Sequence, residues 1–143
     1  MTGWLCLLLL PLLLTAVAVP FRNRGVVPGS PLVMHWTFLN QEQLRIDIEW
    51  NRNSFAPIIL ARNMVGTDLW LCSKESVTES YEITDRWAYD HAPPILDTDS
   101  SHDGLGTDDL TDKSVEEDEN RIVCSFTRKL NTGDHKDKLL VRG

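Results

Sequence analysis

The chain has 143 residues and a formal net charge of −7, and its acidic residues are concentrated between Asp97 and Glu119. Nucleic acids and anionic membrane surfaces bind clustered Lys or Arg side chains, so this charge balance argues against both classes of partner. Removal of the amino-terminal segment described next leaves about 125 residues, which is near the commonest domain size and enough for a single core.

The amino terminus has the features of a secretory signal peptide over residues 1–18. An uncharged apolar run at residues 5–14 precedes Ala16-Val17-Ala18, a small-residue cleavage pattern. The run is shorter than the roughly 20 residues that cross a bilayer and contains Pro11, which favours a cleaved signal over a signal anchor. We therefore expect a secreted protein with a short leader at residues 19–31 and no membrane span after cleavage.

Beyond the leader, the hydrophobic pattern is that of β-strands. Leu44, Ile46, Ile48 and Trp50 alternate with charged residues, as in a half-buried antiparallel strand, and Asp47 and Glu49 are expected to face solvent. A short apolar run covers residues 68–72. Weaker strands are predicted at residues 32–39, 56–61, 81–84 and 138–141, and Pro57 would place the second of these at a sheet edge or strand start.

A second alternating run follows at residues 122–129. One face carries Ile122, Cys124, Phe126 and Arg128. The preceding region, at about residues 91–120, is rich in Pro, Asp, Ser and Gly and is expected to be a long exposed acidic loop with at most one short strand. Several short strands without a helical repeat predict an all-β, antiparallel, immunoglobulin-like sandwich.

The cysteines favour one disulfide bond. Cys6 would leave with the signal peptide, so Cys72 and Cys124 remain as an even pair in an oxidising compartment. A bond between them would stabilise the fold by about 4 kcal/mol in the chain-entropy model. Two buried free thiols are the alternative. The spacings of redox Cys-x-x-C motifs and of zinc sites are absent from the sequence.

Several motifs, taken in order, resemble those of a DOMON domain. They are Asp68-Leu69-Trp70, residues 81–87 with their Asp-Arg-aromatic ending, the Pro93 to Asp97 turn, and the run from Arg128 through the Asn131-Thr-Gly-Asp134 turn to Leu140. This family comprises extracellular β-sandwich modules that bind haem or sugars or accompany redox domains. The resemblance implies a sandwich of this kind over residues 32–143.

The chain departs from the family pattern in three places. The strand before Met64 lacks the usual glycines, and the chain stops at Gly143, where the family ordinarily continues into one or two further strands. An incomplete carboxyl terminus would leave an open sheet edge, which could pair with a second copy as an edge-strand dimer. The copper-binding domains of related monooxygenases have no counterpart here, so we expect no monooxygenase activity from this chain alone.

The resemblance also suggests one cofactor ligand. Met64 stands where cytochrome-type members supply a thioether to haem iron, and a second, histidine ligand normally comes from the end of the domain. His135 is the histidine nearest the carboxyl end, but it sits in a turn rather than on a strand. Haem ligation by Met64 is therefore one hypothesis, and a plain core or loop role is the other; the cofactor stays unknown.

Other candidate sites have simpler interpretations. The stretch from Asp99 to Gly104 resembles the first half of a calcium-binding loop. Leu110 stands where such a loop requires a bidentate Glu, so a solvated acidic loop is the favoured interpretation. His91, Asp97, His102 and Asp103 could gather a divalent metal, although their spacing matches no established pattern. Asp85 and Arg86 are expected to pair at a strand end. Trp36, Trp50, Trp70 and Trp87 could line a ligand cleft, and core packing is the alternative for most.

These observations favour a secreted, DOMON-like module that binds a ligand or a protein partner and is not catalytic by itself. The alternative is the truncated amino-terminal domain of a copper-dependent monooxygenase-like or haem-binding redox protein. A structural extracellular protein that pairs its unfinished edge with another chain is the third hypothesis.

Overall fold

A computed structural model of the chain describes residues 23–26, 30–52, 66–75, 78–102 and 104–142. Within these ranges the backbone forms eight β-strands and no helix, so none is available that could cross a membrane. The strands are β1 (Asn23–Val26), β2 (Val33–Phe38), β3 (Gln43–Asn51), β4 (Thr67–Lys74), β5 (Tyr81–Ala88), β6 (Ile95–Leu96), β7 (Thr111–Glu117) and β8 (Arg121–Lys129). The predicted signal peptide and the strand expected at residues 56–61 lie outside the described residues.

The strands form two antiparallel sheets, which confirms the predicted all-β sandwich. The larger sheet has the order β1-β2-β3-β8-β7, and the smaller has the order β4-β5-β6. The central strands β3 and β8 pair along their whole length, from Gln43 opposite Lys129 to Asn51 opposite Arg121. These are the two runs with the clearest alternation in the sequence, because a strand with neighbours on both sides buries one row of side chains against the other sheet.

The core lies between the sheets and is built from these alternating rows. Ile46 and Ile48 of β3 and Phe126 of β8 are each at most 2% exposed, and Trp70 of β4 packs edge-to-face against Phe126 with 5.2 Å between ring centroids. Trp50 and Trp87 are also buried. Trp50 packs in the hydrophobic core, whereas Trp87 is buried outside that cluster, with Lys138 Nζ 5.6 Å from its ring centroid, and Trp36 is only half-buried.

A disulfide bond between Cys72 and Cys124 joins the two sheets, as the cysteine count predicted. Cys72 lies on β4 of the smaller sheet and Cys124 on β8 of the larger one, and both are buried in the core. The bond closes a 52-residue separation in sequence. It therefore fixes the distance between the sheets at the middle of the sandwich.

The acidic region at residues 91–120 is more ordered than its composition indicated. It contains β6 and the seven-residue strand β7, so the exposed connection ends at Leu110 rather than near Asn120. The sequence of β7 lacks the alternation of apolar and polar residues that marks a half-buried strand. β7 lies at the edge of the sheet and its side chains are nearly all exposed, so its polar residues need no apolar partners. A bulge between Thr111 and Ser114 places Asp112 at a φ of 50°.

Two further sequence predictions are wrong. Residues 138–141 do not form a strand; one backbone hydrogen bond, from Leu140 N–H to Leu130 O at 2.9 Å, ties them to the end of β8. Asp47 does not face open solvent, because β3 is a central strand and the side chains of its neighbours cover it. Its carboxylate pairs with Arg45 at 3.3 Å on the same strand.

Candidate functional site

An apolar pocket lies between the sheets at one end of the core. Its volume is about 150 Å³. Alternate residues of β2 (Met34, Trp36 and Phe38) and of β3 (Leu44 and Ile46) form one wall, because side chains two apart on a strand share a face. Trp70 of β4 faces them from the smaller sheet, and no titratable side chain is among the described residues that line the pocket.

The segment that follows β8 closes the pocket. Leu130, Leu140 and Val141 line it, and Leu130 N–H donates to Glu42 O at 2.7 Å. Arg142 lies over the Phe38 ring, with its guanidinium carbon 4.5 Å from the ring centroid, and donates to Asn40 O. Leu140 and Val141 thus contribute to a pocket wall without forming a β-ladder, although Val141 is 75% exposed and Leu139, at 64%, does not line the pocket.

Beside the pocket, a buried arginine holds this segment in place. Arg128 of β8 is fully buried; its Nη2 donates to Asp68 Oδ2 at 2.8 Å, and its Nη1 donates to Lys138 O at 3.1 Å. Nη2 also lies 3.0 Å from Asp137 Oδ2, an ion-pair contact that does not align as a hydrogen bond. Lys138 N–H donates to Asp68 Oδ2 at 3.0 Å, so Asp68 and Arg128 together bind the closing segment from two strands.

A third carboxylate, that of Asp85 on β5, completes this acidic cluster. Its Oδ2 accepts the Asp109 N–H at 3.2 Å, while its Oδ1 is buried without a hydrogen-bond partner. Burial, reinforced by the charges of Asp137 and Asp68, raises the pKa of Asp85 to about 8. Burial also raises the pKa values of Asp68 and Asp137, and in Asp68 it outweighs the attraction of Arg128. Three buried carboxylates thus lie together, and two of them, Asp68 and Asp137, contact Arg128.

By donor type, this cluster could hold a metal ion. One oxygen from each of Asp68, Asp85 and Asp137 lies within 4.8 Å of the others, and hard cations prefer such oxygen ligands. Arg128 already provides a positive charge to two of the three. As arranged here, Asp68 and Arg128 therefore anchor the closing segment, while Asp85 accepts the Asp109 N–H.

A buried lysine organises the neighbouring loop. Lys136 is fully buried and donates to Asp97 O at 3.0 Å and to Asp99 O at 2.9 Å. Gly106 N–H donates to Asp97 O as well, and a Cβ at this position would lie 2.8 Å from that oxygen, so only glycine fits here. Burial, together with the charges of Asp137 and Asp134, raises the pKa of Asp97 to about 7.

The raised pKa of Asp85 predicts how stability depends on pH. Between about pH 4 and pH 8, the unfolded Asp85 is ionised and the folded one is protonated, so folding takes up a proton. Stability should therefore fall as pH rises through this window, by up to about 1.4 kcal/mol per pH unit for one fully shifted group. We expect Asp85→Asn to be the more stable protein at pH 8 and to lose less stability than wild type between pH 5 and pH 8.

Urea unfolding of both proteins at pH 5 and pH 8 measures this difference. Asp118→Asn is the matched control, because bonds from Asn120 and Arg121 lower the pKa of this exposed carboxylate and keep it ionised throughout the range. The control should retain the wild-type pH dependence. An Asp85→Asn protein that is destabilised equally at both pH values would contradict the assignment of a costly buried carboxylate.

The residues singled out in the sequence are dispersed. Met64 and Asp103 lie outside the described residues, so haem ligation by Met64 stays a prediction. His135 is 57% exposed in its side chain and lies 3.3 Å from Asp134, away from the pocket walls. His91 is exposed, and His102 stacks on Tyr89 with 3.7 Å between ring centroids.

The structure also does not support the calcium-like loop or the predicted Asp85–Arg86 ion pair. Asp99, of the calcium-like stretch, is exposed and accepts the Ser101 N–H at 2.8 Å in a local turn. Asp85 and Arg86 do not pair, because adjacent strand residues point to opposite faces. Arg86 instead donates to Thr84 Oγ1 and Pro94 O, both at 2.9 Å.

A porphyrin does not fit the apolar pocket as it stands. Pockets for drug-sized ligands measure about 300–1,000 Å³, and haem is larger than most such ligands. The volume here is about 150 Å³, and its described lining includes Met34 but no histidine. The residues present therefore suit a smaller apolar ligand.

The sequence did contain a signal for the Arg128 cluster. Arg128 shares a face with Ile122, Cys124 and Phe126, and each of these apolar residues is in the core. Asp68 likewise shares a face with Trp70 and Cys72 of β4, as Asp85 does with Ile83 and Trp87 of β5. A charged residue at a core-facing position on each of three strands predicts a shared ionic cluster, since burial of an unpaired charge is costly.

Comparison with protein families gives one clear result. The family model of the DOMON domain matches residues 29–143, which is most of the chain and includes β2 to β8 and the closing segment. No curated protein and no solved structure shows significant similarity to the chain. The sandwich, with its motifs in the expected order, agrees with the family match, and the chain belongs to the DOMON domain family.

Proposed function

We propose that this chain is a secreted, non-catalytic binding module that holds a small apolar ligand between its two sheets. The apolar pocket carries the proposal: two tryptophans, a phenylalanine, a methionine and aliphatic side chains line about 150 Å³ of space beside the hydrophobic core. Concave sites lined by apolar and aromatic side chains are the usual form of small-molecule sites.

A binding role without chemistry suits this pocket better than catalysis. General acid–base and nucleophilic catalysis need a titratable or nucleophilic side chain within reach of the substrate. The described pocket walls offer none. The nearby buried carboxylates are engaged elsewhere: Asp68 and Asp137 contact Arg128, and Asp85 accepts the Asp109 N–H.

Secretion is supported by the signal-like segment at residues 1–18 and by the disulfide bond, because disulfides persist mainly in oxidising compartments. Expression of the full chain in cultured animal cells tests this part. Protein recovered from the medium should begin at Val19. Retention inside the cell with residues 1–18 still attached would contradict secretion.

Benzene titration, followed by calorimetry and by the melting temperature, tests the binding role. Benzene should bind the wild-type protein and raise its melting temperature, because a ligand that binds only the folded state stabilises it by mass action. Met34→Trp should abolish binding, since the larger side chain fills the pocket from β2.

Val33→Trp is the matched control, because Val33 is on the opposite face of the same strand and does not line the pocket. This variant should bind benzene as the wild type does. If neither wild type nor control binds benzene, or if Met34→Trp binds it unchanged, the pocket is not the ligand site.

A further inference from the structure

A groove runs along the open side of the sandwich, between β5 and β7. Its volume is about 340 Å³, and it is lined by residues 81–83 of β5 and residues 113–115 of β7. Consecutive side chains on a strand point to opposite faces, so a space lined by three consecutive residues lies along the edge of that strand. The apolar pocket differs, because alternate residues of β2 and β3 line it from one face. The groove therefore lies between two strand edges.

Both of these edges lack a neighbouring strand in the part of the chain that the structure describes. β7 is the last strand of the larger sheet and pairs only with β8. β5 pairs with β6 only at Arg86 and Trp87, so residues 81–84 have no strand on that side. Among the described residues, no backbone group of residues 114–117 forms a hydrogen bond outside the ladder with β8. The outward N–H and C=O groups of this edge are thus open to an added strand.

The bulge in β7 leaves a regular stretch of this edge beside the groove. The register with β8 shifts between Thr111 and Ser114 and then runs without interruption from Ser114 to Glu117. Tyr81 and Val115, which line the groove, are half-buried and pack against the hydrophobic core. An extended segment beside residues 114–117 would therefore meet apolar side chains on the inner face of its strand.

The charge around β7 indicates which segment fits. Residues 108–119 carry seven carboxylates and one lysine, and Lys113 is already paired with Asp108 at 2.5 Å. Glu116 on β7 and Glu82 at the opposite rim are exposed, and neither is in an ion pair with another described residue. A second copy of β7 would place like charges opposite each other, which destabilises strand pairing. A strand with Lys or Arg on its outer face would place opposite charges there.

We infer that the groove binds an extended basic segment of a partner protein, which adds its backbone to the free edge of β7. Apolar side chains at alternate positions of that segment face Tyr81 and Val115, and Lys or Arg side chains at the intervening positions lie beside Glu116. This interaction site goes beyond the proposed small-molecule site, with which it shares no lining residue.

A peptide of alternating Lys and Val residues, capped at both ends, is the probe. Its counterpart of alternating Glu and Val residues has the same strand pattern with the opposite charge. Fluorescence anisotropy of labelled peptides at low ionic strength measures both affinities. The wild-type protein should bind the lysine peptide at least about tenfold more tightly than the glutamate peptide, because exposed charges of opposite sign attract and like charges repel.

Charge reversal on β7 tests the location. Glu116→Lys should weaken binding of the lysine peptide by about fivefold, since an attraction becomes a repulsion at the edge itself. Asp90→Lys is the matched control, because it makes the same change in net charge at an exposed position beyond the other end of β5. This control should bind the peptide as the wild type does.

Amide hydrogen exchange of the wild-type protein tests strand addition itself. Every second N–H of an edge strand points away from its neighbour, so alternate amides of residues 114–117 should exchange at least about tenfold more slowly when the lysine peptide is bound. The remaining amides of this stretch point toward β8 and should change little.

Three results would overturn the inference. The first is equal affinity for the two peptides, or no binding of either. The second is an equal effect of Glu116→Lys and Asp90→Lys. The third is binding without slower exchange at residues 114–117, or slower exchange there from self-association in the absence of peptide, which would assign the edge to a second copy. Benzene binding is measured separately, so the proposed function can stand or fail independently.

Discussion

Replacement of Arg128 by methionine should lower the free energy of unfolding by about 3–5 kcal/mol, the usual loss when one partner of a buried ion pair is removed. Asp68 and Asp137 would remain buried, with side-chain exposures of 4% and 2%, and without their shared cation. This loss is a large part of the 5–15 kcal/mol that holds a typical domain folded. Urea unfolding at pH 7, monitored by tryptophan fluorescence, measures it.

Two further variants make this prediction specific to the buried cluster. Arg121→Met removes an arginine from the same strand, but its side chain is 52% exposed and pairs with Glu49 and Asp118 at the surface, so the change should be within about 1 kcal/mol. Asp68→Asn combined with Asp137→Asn should recover part of the Arg128→Met loss, because fewer unpaired charges stay buried. Equal losses in Arg128→Met and Arg121→Met would contradict the cluster's structural role.

The cluster also connects stability to the pocket. Arg128 donates to Lys138 O, and Lys138 N–H donates to Asp68, so the segment that carries Leu140 depends on this ion pair for its position. A variant without Arg128 that still folds should therefore bind benzene more weakly than the wild type, although Arg128 itself does not line the pocket.

Removal of the disulfide bond is the second change with a large expected effect. The Cys72→Ala, Cys124→Ala double variant should lose about 2–5 kcal/mol of stability, mainly because the unfolded chain is no longer cross-linked over its 52-residue separation. The bond also joins β4 to β8 across the core, so its loss removes the covalent link between the sheets. Urea unfolding of the oxidised wild type and the double variant measures the difference.

Treatment with a reductant provides the control for this prediction. Reductant should destabilise the wild-type protein by a similar amount and leave the double variant unchanged, since only the wild type contains the bond. A double variant as stable as the oxidised wild type, or one that reductant destabilises further, would contradict a stabilising Cys72–Cys124 bond.

Much of the fold was predictable because the central strands alternate cleanly. β3 and β8 each place a row of mainly apolar side chains in the core, and this leaves a two-residue period in the sequence that edge strands lack. β7 was not predicted as a seven-residue strand, since both of its faces are largely exposed. β1 was not predicted at all, because four residues with alternate exposure leave too short a pattern.

The candidate site was less predictable, for a different reason. Packing of the two sheets brings Arg128 of β8 against Asp68 of β4 and Asp85 of β5, and Asp137 arrives from a loop. Local spacing marks each of the charged strand residues as core-facing, but it does not show which of them meet. The pocket was hard to predict for the same reason, because Trp36 and Trp70 line it from different sheets. In addition, the apolar residues near the carboxyl end that line it were predicted to form a strand.

The most direct test of the binding site is a crystal structure of the protein soaked with bromobenzene, with data collected at the bromine absorption edge. Bromine scatters anomalously, so its position can be found independently of any assumption about the site. The proposal predicts an anomalous peak in the pocket between Trp36, Trp70 and Leu140, absent from crystals of Met34→Trp. An empty pocket, with bromine bound only elsewhere on the protein, would contradict it.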